Sequence, residues 1–107
     1  MKLLTRSEEF ALLTVWHLQE EAYSLNIRER ISEITGYEWS LGSIYTPLER
    51  LARRRLLTSS LSDSSPERGG RKKRIYNLTP AGKQALVRIH RVEKAMWAGA
   101  SALLAES

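Results

Sequence analysis

Apolar residues crowd the stretch Phe10, Ala11, Leu12, Leu13, Val15, Trp16 and Leu18, and the pattern predicts a helix. In front of it, Thr5-Arg6-Ser7-Glu8 has capping-box spacing: the threonine hydroxyl can accept from a backbone amide and the glutamate can reach back. The helix should run to about Gln19. Its apolar positions cover more than the stripe of a surface helix, so burial on two sides is expected. One side can face the domain core; the other needs a long helix of the same chain or a partner subunit. Ile27, Ile31 and Ile34 fall at i, i+4 and i+7 and predict a second helix, capped by Ser24 and stopped at Gly36.

Ser40 caps a predicted third helix with Leu41, Ile44, Leu48 and Leu51 on one face. At 100° per residue the opposite face carries Gly42, Thr46, Glu49, Arg50 and Arg53, with Ser43 and Arg54 beside it. Pro47 removes a bond to the carbonyl of Ser43, and a local distortion is expected there. Leu56 to Asp63 and Lys73 to Thr79 read as strands, and the turn formers from Ser64 to Gly70 join them in a β-hairpin. Thr79 then caps a last helix with Pro80 in its first turn. Continued to about Ala105, it would span roughly 26 residues and ~39 Å. Ala85, Ile89, Val92, Met96, Gly99 and Leu103 form a heptad-like seam along it, and Leu86, Trp97, Ala100 and Leu104 a neighbouring row. A protruding helix cannot bury both rows, so a homodimer through this helix and the first one, with Phe10 and Leu13, is expected. The alternative is a helix folded back on its own domain.

Length and composition narrow the class. The 107-residue chain can bury one modest core, with no room for a separate catalytic domain. The expected organisation is a reading domain over residues 1–79 and an association helix over 80–107. An apolar fraction of 42% with 27% charged residues is that of an ordinary soluble protein. Neither a membrane span nor an export signal is visible, so a cytoplasmic location without membrane association is expected. The absence of cysteine excludes disulfides, cysteine zinc sites and thiol nucleophiles. His17 with Glu20 or Glu21, and His90 with Glu93, could each give two ligands of the four a structural metal site needs, so no metal is expected. No cofactor is implied either. Asn77-Leu78-Thr79 matches a glycosylation acceptor but reads more simply as a strand end and a helix cap.

Charge distribution carries more information than the net value of +5. Residues 1–39 sum to −3, residues 40–79 to +6 and residues 80–107 to +2. A basic middle with an acidic flank is the electrostatic footprint expected for a polyanion partner. Three helices, a basic hairpin and a last helix make the fold mainly α with a small β-hairpin. That order, α-α-α-β-β-α with a long C-terminal helix, is a winged helix-turn-helix. A major groove admits one helix, and small residues at its start allow close approach to base edges. Candidate DNA-binding residues are therefore Ser40, Ser43, Thr46, Arg50 and Arg53 on the third helix, with Arg68, Arg71, Lys72 and Lys73 in the wing.

Two motifs also carry a family resemblance. Leu41-Gly-Ser-Ile-Tyr-Thr-Pro-Leu-Glu-Arg-Leu51, followed by Gly70-Arg-Lys-Lys-Arg-Ile-Tyr-Asn-Leu-Thr-Pro-Ala-Gly82, resembles the PadR family of transcriptional regulators in its short form, over roughly residues 4 to 97. The resemblance implies a double-stranded-DNA-binding homodimer, usually a repressor, joined through its last helix. It implies that Tyr45 contacts the DNA backbone, that Ser43 and Thr46 lie at the groove, and that Arg71, Lys72 and Lys73 lie in the wing. Tyr76 and Leu78 should pack the wing onto the domain. The sequence departs from the family in placing Thr46 between Tyr45 and Pro47, in Arg55 where a glycine commonly ends the third helix, and in Ala22 for another glycine.

Short family members can hold flat aromatic compounds between their subunits against a tryptophan of the last helix. The resemblance thus raises a planar aromatic effector site at Trp97, Met96 and Val92 with Leu12 or Trp16. The competing reading is that Trp97 fills the dimer core. An enzyme is not expected, because there is no phosphate-binding glycine loop and the glutamates cluster at helix ends. The remaining rival is a winged-helix module that binds protein or RNA, and the basic residues of the third helix and wing argue against it.

Overall fold

The computed structural model describes residues 2–62 and 73–107. Thr5 opens α1 (Arg6–Leu18) with both halves of the capping box: its hydroxyl accepts from the Glu8 amide at 3.1 Å, and Glu8 accepts from the Thr5 amide at 2.7 Å. Ala11, Leu12 and Val15 of α1 are buried in the core. Phe10 meets Trp39 edge to face, with ring centroids 6.5 Å apart. Leu13 and Trp16 stay exposed, so burial on two sides is only half met within one chain. A 3₁₀ turn (Gln19–Glu21) leads into α2 (Ser24–Thr35).

Tyr23, not Ser24, is the cap residue of α2. Its backbone is held extended by a bridge to Ile75, while the neighbouring Ala22 carbonyl accepts from the Tyr76 amide at 2.8 Å. Helical geometry can begin only after that tether. Ile27 and Ile31 are buried, but Ile34 is exposed, so the predicted third apolar position does not reach the core. Gly36 ends α2 in the left-handed region at φ 76°, its amide returning to the Ser32 carbonyl.

Ser40 caps α3 (Leu41–Arg53) by accepting from the Ser43 amide at 3.1 Å. Ile44, Leu48 and Leu51 are fully buried, whereas Leu41 is exposed. The helix runs unbroken through the buried Pro47. At its end Arg55 takes φ 59°, the Leu56 amide bonds to the Leu51 carbonyl at 2.9 Å, and the Arg55 amide bonds to Ala52. These are the two bonds of a Schellman motif, sealed by the buried pair Leu51 and Leu56. Arg55 therefore occupies the left-handed position that glycine fills at least cost.

The two strands are shorter than predicted. β1 (Leu57–Leu61) and β2 (Arg74–Leu78) pair antiparallel, with Leu57 opposite Leu78 and Leu61 opposite Arg74. Thr79 caps α4 (Pro80–Trp97) by accepting from the Gly82 amide, and its hydroxyl donates to the Arg55 carbonyl at 2.8 Å. A methyl group at Gly82 would overlap the Leu56 carbonyl oxygen, so only glycine lets α4 begin this close to β1. The last helix is not continuous to Ala105. Ala98 leaves helical geometry, Gly99 takes φ 82°, and α5 (Ser101–Ala105) is a separate turn. Apolar periodicity cannot register such a break, because Gly99 and Leu103 fall on the heptad seam whether or not the backbone follows.

Ala85 also moves from the predicted seam into the core of its own chain, and Leu12 is fully buried there. α4 and α1 are further tied by charge. Arg6 Nη1 lies 3.3 Å from Glu9 Oε2 and 2.7 Å from Glu93 Oε1. Burial, reinforced by the adjacent Glu93, pushes the Glu9 carboxyl up to about 7 against the opposing pull of Arg6. The radius of gyration of 15.8 Å exceeds the about 13 Å of a compact chain this long. The molecule is accordingly elongated, 54 Å in its longest dimension.

Candidate nucleic-acid interface

The core takes Ile44, Pro47, Leu48 and Leu51 of α3, and this fixes what the helix presents outward. Ser43, Tyr45, Thr46, Arg50 and Arg53 are all exposed. Thr46 donates to the Gly42 carbonyl at 3.3 Å, which leaves its hydroxyl oxygen free to accept. Ser40 is exposed too, but its hydroxyl is engaged by the Ser43 amide and lies 2.8 Å from the Ser43 hydroxyl. Arg53 stands 3.8 Å from Glu49, a loose pair of two exposed side chains that costs little to open. Arg54 is committed elsewhere: Nη2 donates to the Lys2 carbonyl at 2.8 Å, and Nη1 lies 3.9 Å from Glu8.

The strands bring a second basic element beside α3. Lys73 precedes β2, and its carbonyl accepts from the Ser62 amide at 2.7 Å. Arg74 donates to Ser59 across the strand pair at 2.9 Å. Arg68, Arg71 and Lys72, predicted for the wing, lie outside the described residues. Between α3 and the strands runs an open groove of 670 Å³, walled by Tyr45 and Glu49 on one side and by Tyr23, Ser59, Lys73 and Arg74 on the other. Lys73 Nζ sits 3.7 Å from the centroid of the Tyr23 ring. Tyr76 is buried at the base, and burial raises its hydroxyl above the ordinary tyrosine value.

Tyr23, Ser59 and Arg74 were not among the candidate residues read from sequence. Arg74 was discoverable: it lies two residues before Tyr76 in a strand, so the two share a face. Tyr23 had no local signal, since its place depends on the bridge to Ile75.

The other candidate residues divide differently. Leu13 and Trp16 of α1 form an apolar depression of 380 Å³ with Leu78, Leu86, Val87 and His90, and the Lys83 ammonium lies 5.6 Å from the Trp16 ring centroid. Val92, Met96 and Trp97 are exposed farther along α4, and Leu103 on α5; the depression includes none of them. Leu12 is sealed in the core. Phe10 is only partly buried and packs on Trp39, and Ile89 is half-buried. Among the described residues no three histidine, aspartate or glutamate side chains are placed to hold a metal ion, and no helix is long and apolar enough to cross a membrane.

The model of the "Transcriptional regulator PadR-like family" matches residues 12–88. The chain belongs to the PadR family. Both sequence motifs, Leu41 to Leu51 and Gly70 to Gly82, lie inside the match, while Trp97 and α5 lie beyond it. A PadR family transcription regulator from hypervirulent Clostridium difficile shares 29% identity, covering 91% of this chain and 95% of that one, with a TM-score of 0.58. A transcriptional regulator from Thermoplasma acidophilum superposes with a TM-score of 0.71 over 92% of this chain and 93% of its own, at 22% identity. A PadR-like transcription factor from Bacteroides fragilis gives a TM-score of 0.70 at 21% identity, with 92% of each chain covered. These similarities fix the winged helix-turn-helix fold. A comparison with curated proteins finds no significant match. PadR proteins are transcriptional regulators rather than enzymes.

Proposed function

We propose that this PadR protein is a sequence-specific regulator that binds duplex DNA as a homodimer and represses transcription by occupying its operator. One observation carries the reading. The face of α3 left over by the core is polar and basic, and it adjoins a strand pair whose base carries Lys73 and Arg74. In this reading α3 enters the major groove, where Ser43, Thr46 and Arg50 face base edges, and Tyr45 and Arg53 reach the backbone. The wing, with Arg68, Arg71, Lys72 and Lys73, lies over the adjacent minor groove. Residues 1–79 then read DNA, and residues 80–107 join the subunits. DNA as the partner puts the site of action in the cytoplasm.

Dimerisation is supported by what the chain leaves uncovered. Leu13, Trp16, Val92, Met96, Trp97 and Leu103 are large apolar side chains left exposed over a third or more of their surface in a single chain, and a second copy would cover them. A planar aromatic effector would enter between the subunits and stack on Trp97, with Val92, Met96 and Trp16 as walls. Leu12 takes no part in that pocket.

Selection of bound duplexes from a random library tests the reading. A palindromic winner is expected, with half-sites about one helical turn apart or a multiple of it; recovery of no preferred sequence would overturn it. Changes at Ser43, Thr46 or Arg50 should alter the preference among duplexes, whereas Lys73 changes should weaken all of them alike.

A further inference from the structure

The groove between α3 and β2 has a chemistry that base reading does not explain. Two cations, Lys73 and Arg74, line it, and among the described residues neither has a carboxylate within ion-pair distance. Tyr45 and Ser59 contribute hydroxyl groups, and among the described residues Glu49 is the one carboxylate on the wall. Lys73 does not hang free: its ammonium lies 3.7 Å from the centroid of the Tyr23 ring, close enough for a cation–π contact. Tyr23 is in turn fixed from behind, because the bridge to Ile75 and the bond from the Tyr76 amide to Ala22 anchor it to β2. A long flexible side chain in the groove lining is thereby met by a ring whose backbone is tied to β2.

A helix in the major groove and a wing in the next minor groove are separated on DNA by one sugar-phosphate strand. In the docking proposed above, the gap between α3 and the strand pair would face that strand. We propose that this groove seats a backbone phosphodiester, with Lys73 and Arg74 as its cationic contacts, and that Tyr23 is the positioning residue that holds Lys73 toward it. The inference rests on the DNA-binding reading above. It differs from a general basic wing in assigning a role to an aromatic residue at the start of α2, remote in sequence from both motifs.

The test measures binding of the selected duplex by fluorescence anisotropy across a salt series. K73Q should weaken binding and reduce the slope of log affinity against log salt by about 1.8, the signature of one lost phosphate contact in each half-site of the dimer's duplex. Y23F keeps the ring and should bind within twofold of the parent. Y23L should weaken binding by roughly three- to tenfold, and the same substitution should cost nothing further in a K73Q background, since the two act on one contact. A Y23L loss that persists in full in the K73Q background would overturn the positioning role. A second measurement does not depend on the folding of Y23L. Neutral methylphosphonates placed one at a time along the duplex should include a position in each half-site that weakens the parent but not K73Q; absence of such a position would overturn the phosphate assignment. Failure of the parent itself to prefer any duplex would instead sink the DNA-binding reading, so the two failures are distinguishable.

Discussion

Replacing Glu9 with glutamine should flatten much of the pH dependence of this protein's stability. Glu9 is buried beneath α4, and desolvation together with the neighbouring Glu93 carries its carboxyl from 4.5 to about 7. The folded chain therefore keeps this proton at pH values where the unfolded chain has lost it. Stability from this source is complete below about pH 4.5 and is lost as the pH rises through about 7. Each pH unit within that window removes up to about 1.4 kcal/mol, and the whole of it at most about 3 kcal/mol. A small domain has a total of about 5–15 kcal/mol, so the effect is large. Glutamine has the same shape, can accept from Arg6 and donate to Glu93, and does not ionise. Urea denaturation followed by tryptophan fluorescence, from pH 5 to pH 8 at one fixed protein concentration, gives the comparison. The two proteins should be close in stability at pH 5, and E9Q should gain on the parent at every step upward. Only the difference between them counts, because all other groups titrate in both. Parallel curves would refute the assignment of the proton to this site.

Three further outcomes are expected. Gly82→Ala should cost more than about 2 kcal/mol, because its methyl displaces the Leu56 carbonyl and the Thr79 amide bond to it; a parental melting temperature would contradict this. Arg55→Gly should stabilise the fold by about 1 kcal/mol through relief of a left-handed non-glycine residue, read from the urea midpoint. Val92→Asp combined with Met96→Glu should yield monomers in dilution-dependent sedimentation while leaving the helical signal intact, since both side chains are exposed in the single chain.

What was legible in the sequence was local. Thr5 with Glu8, Ser40, and Thr79 with Pro80 cap helices through neighbours three residues away, and each is found capping. The apolar face of α3 was equally plain, because one period ran along it without a competing row. Where two rows coexisted, periodicity could not say which faced the core. Leu12 and Ala85 were therefore assigned outward although they lie inside. Long-range partners left no trace in the pattern. The bridge between Tyr23 and Ile75 moved a helix cap by one residue and brought an aromatic ring against Lys73. The break at Ala98 and Gly99 was hidden for a different reason: small residues fit both a packed seam and a chain reversal.

The close start of α4 on β1 has a mechanical consequence. α4 is 18 residues long, an arm of about 27 Å, and its root is clamped at Gly82 against Leu56, the residue before β1. Rotation of the arm by about 10° about that root would carry its far end by about 5 Å, more than the 3.4 Å rise of one DNA base pair. In a dimer joined along this arm, a small change of packing at the fulcrum becomes a whole base-pair step in the spacing of the two reading surfaces. In such a pair a single glycine would be the pivot on which the span between operator half-sites turns.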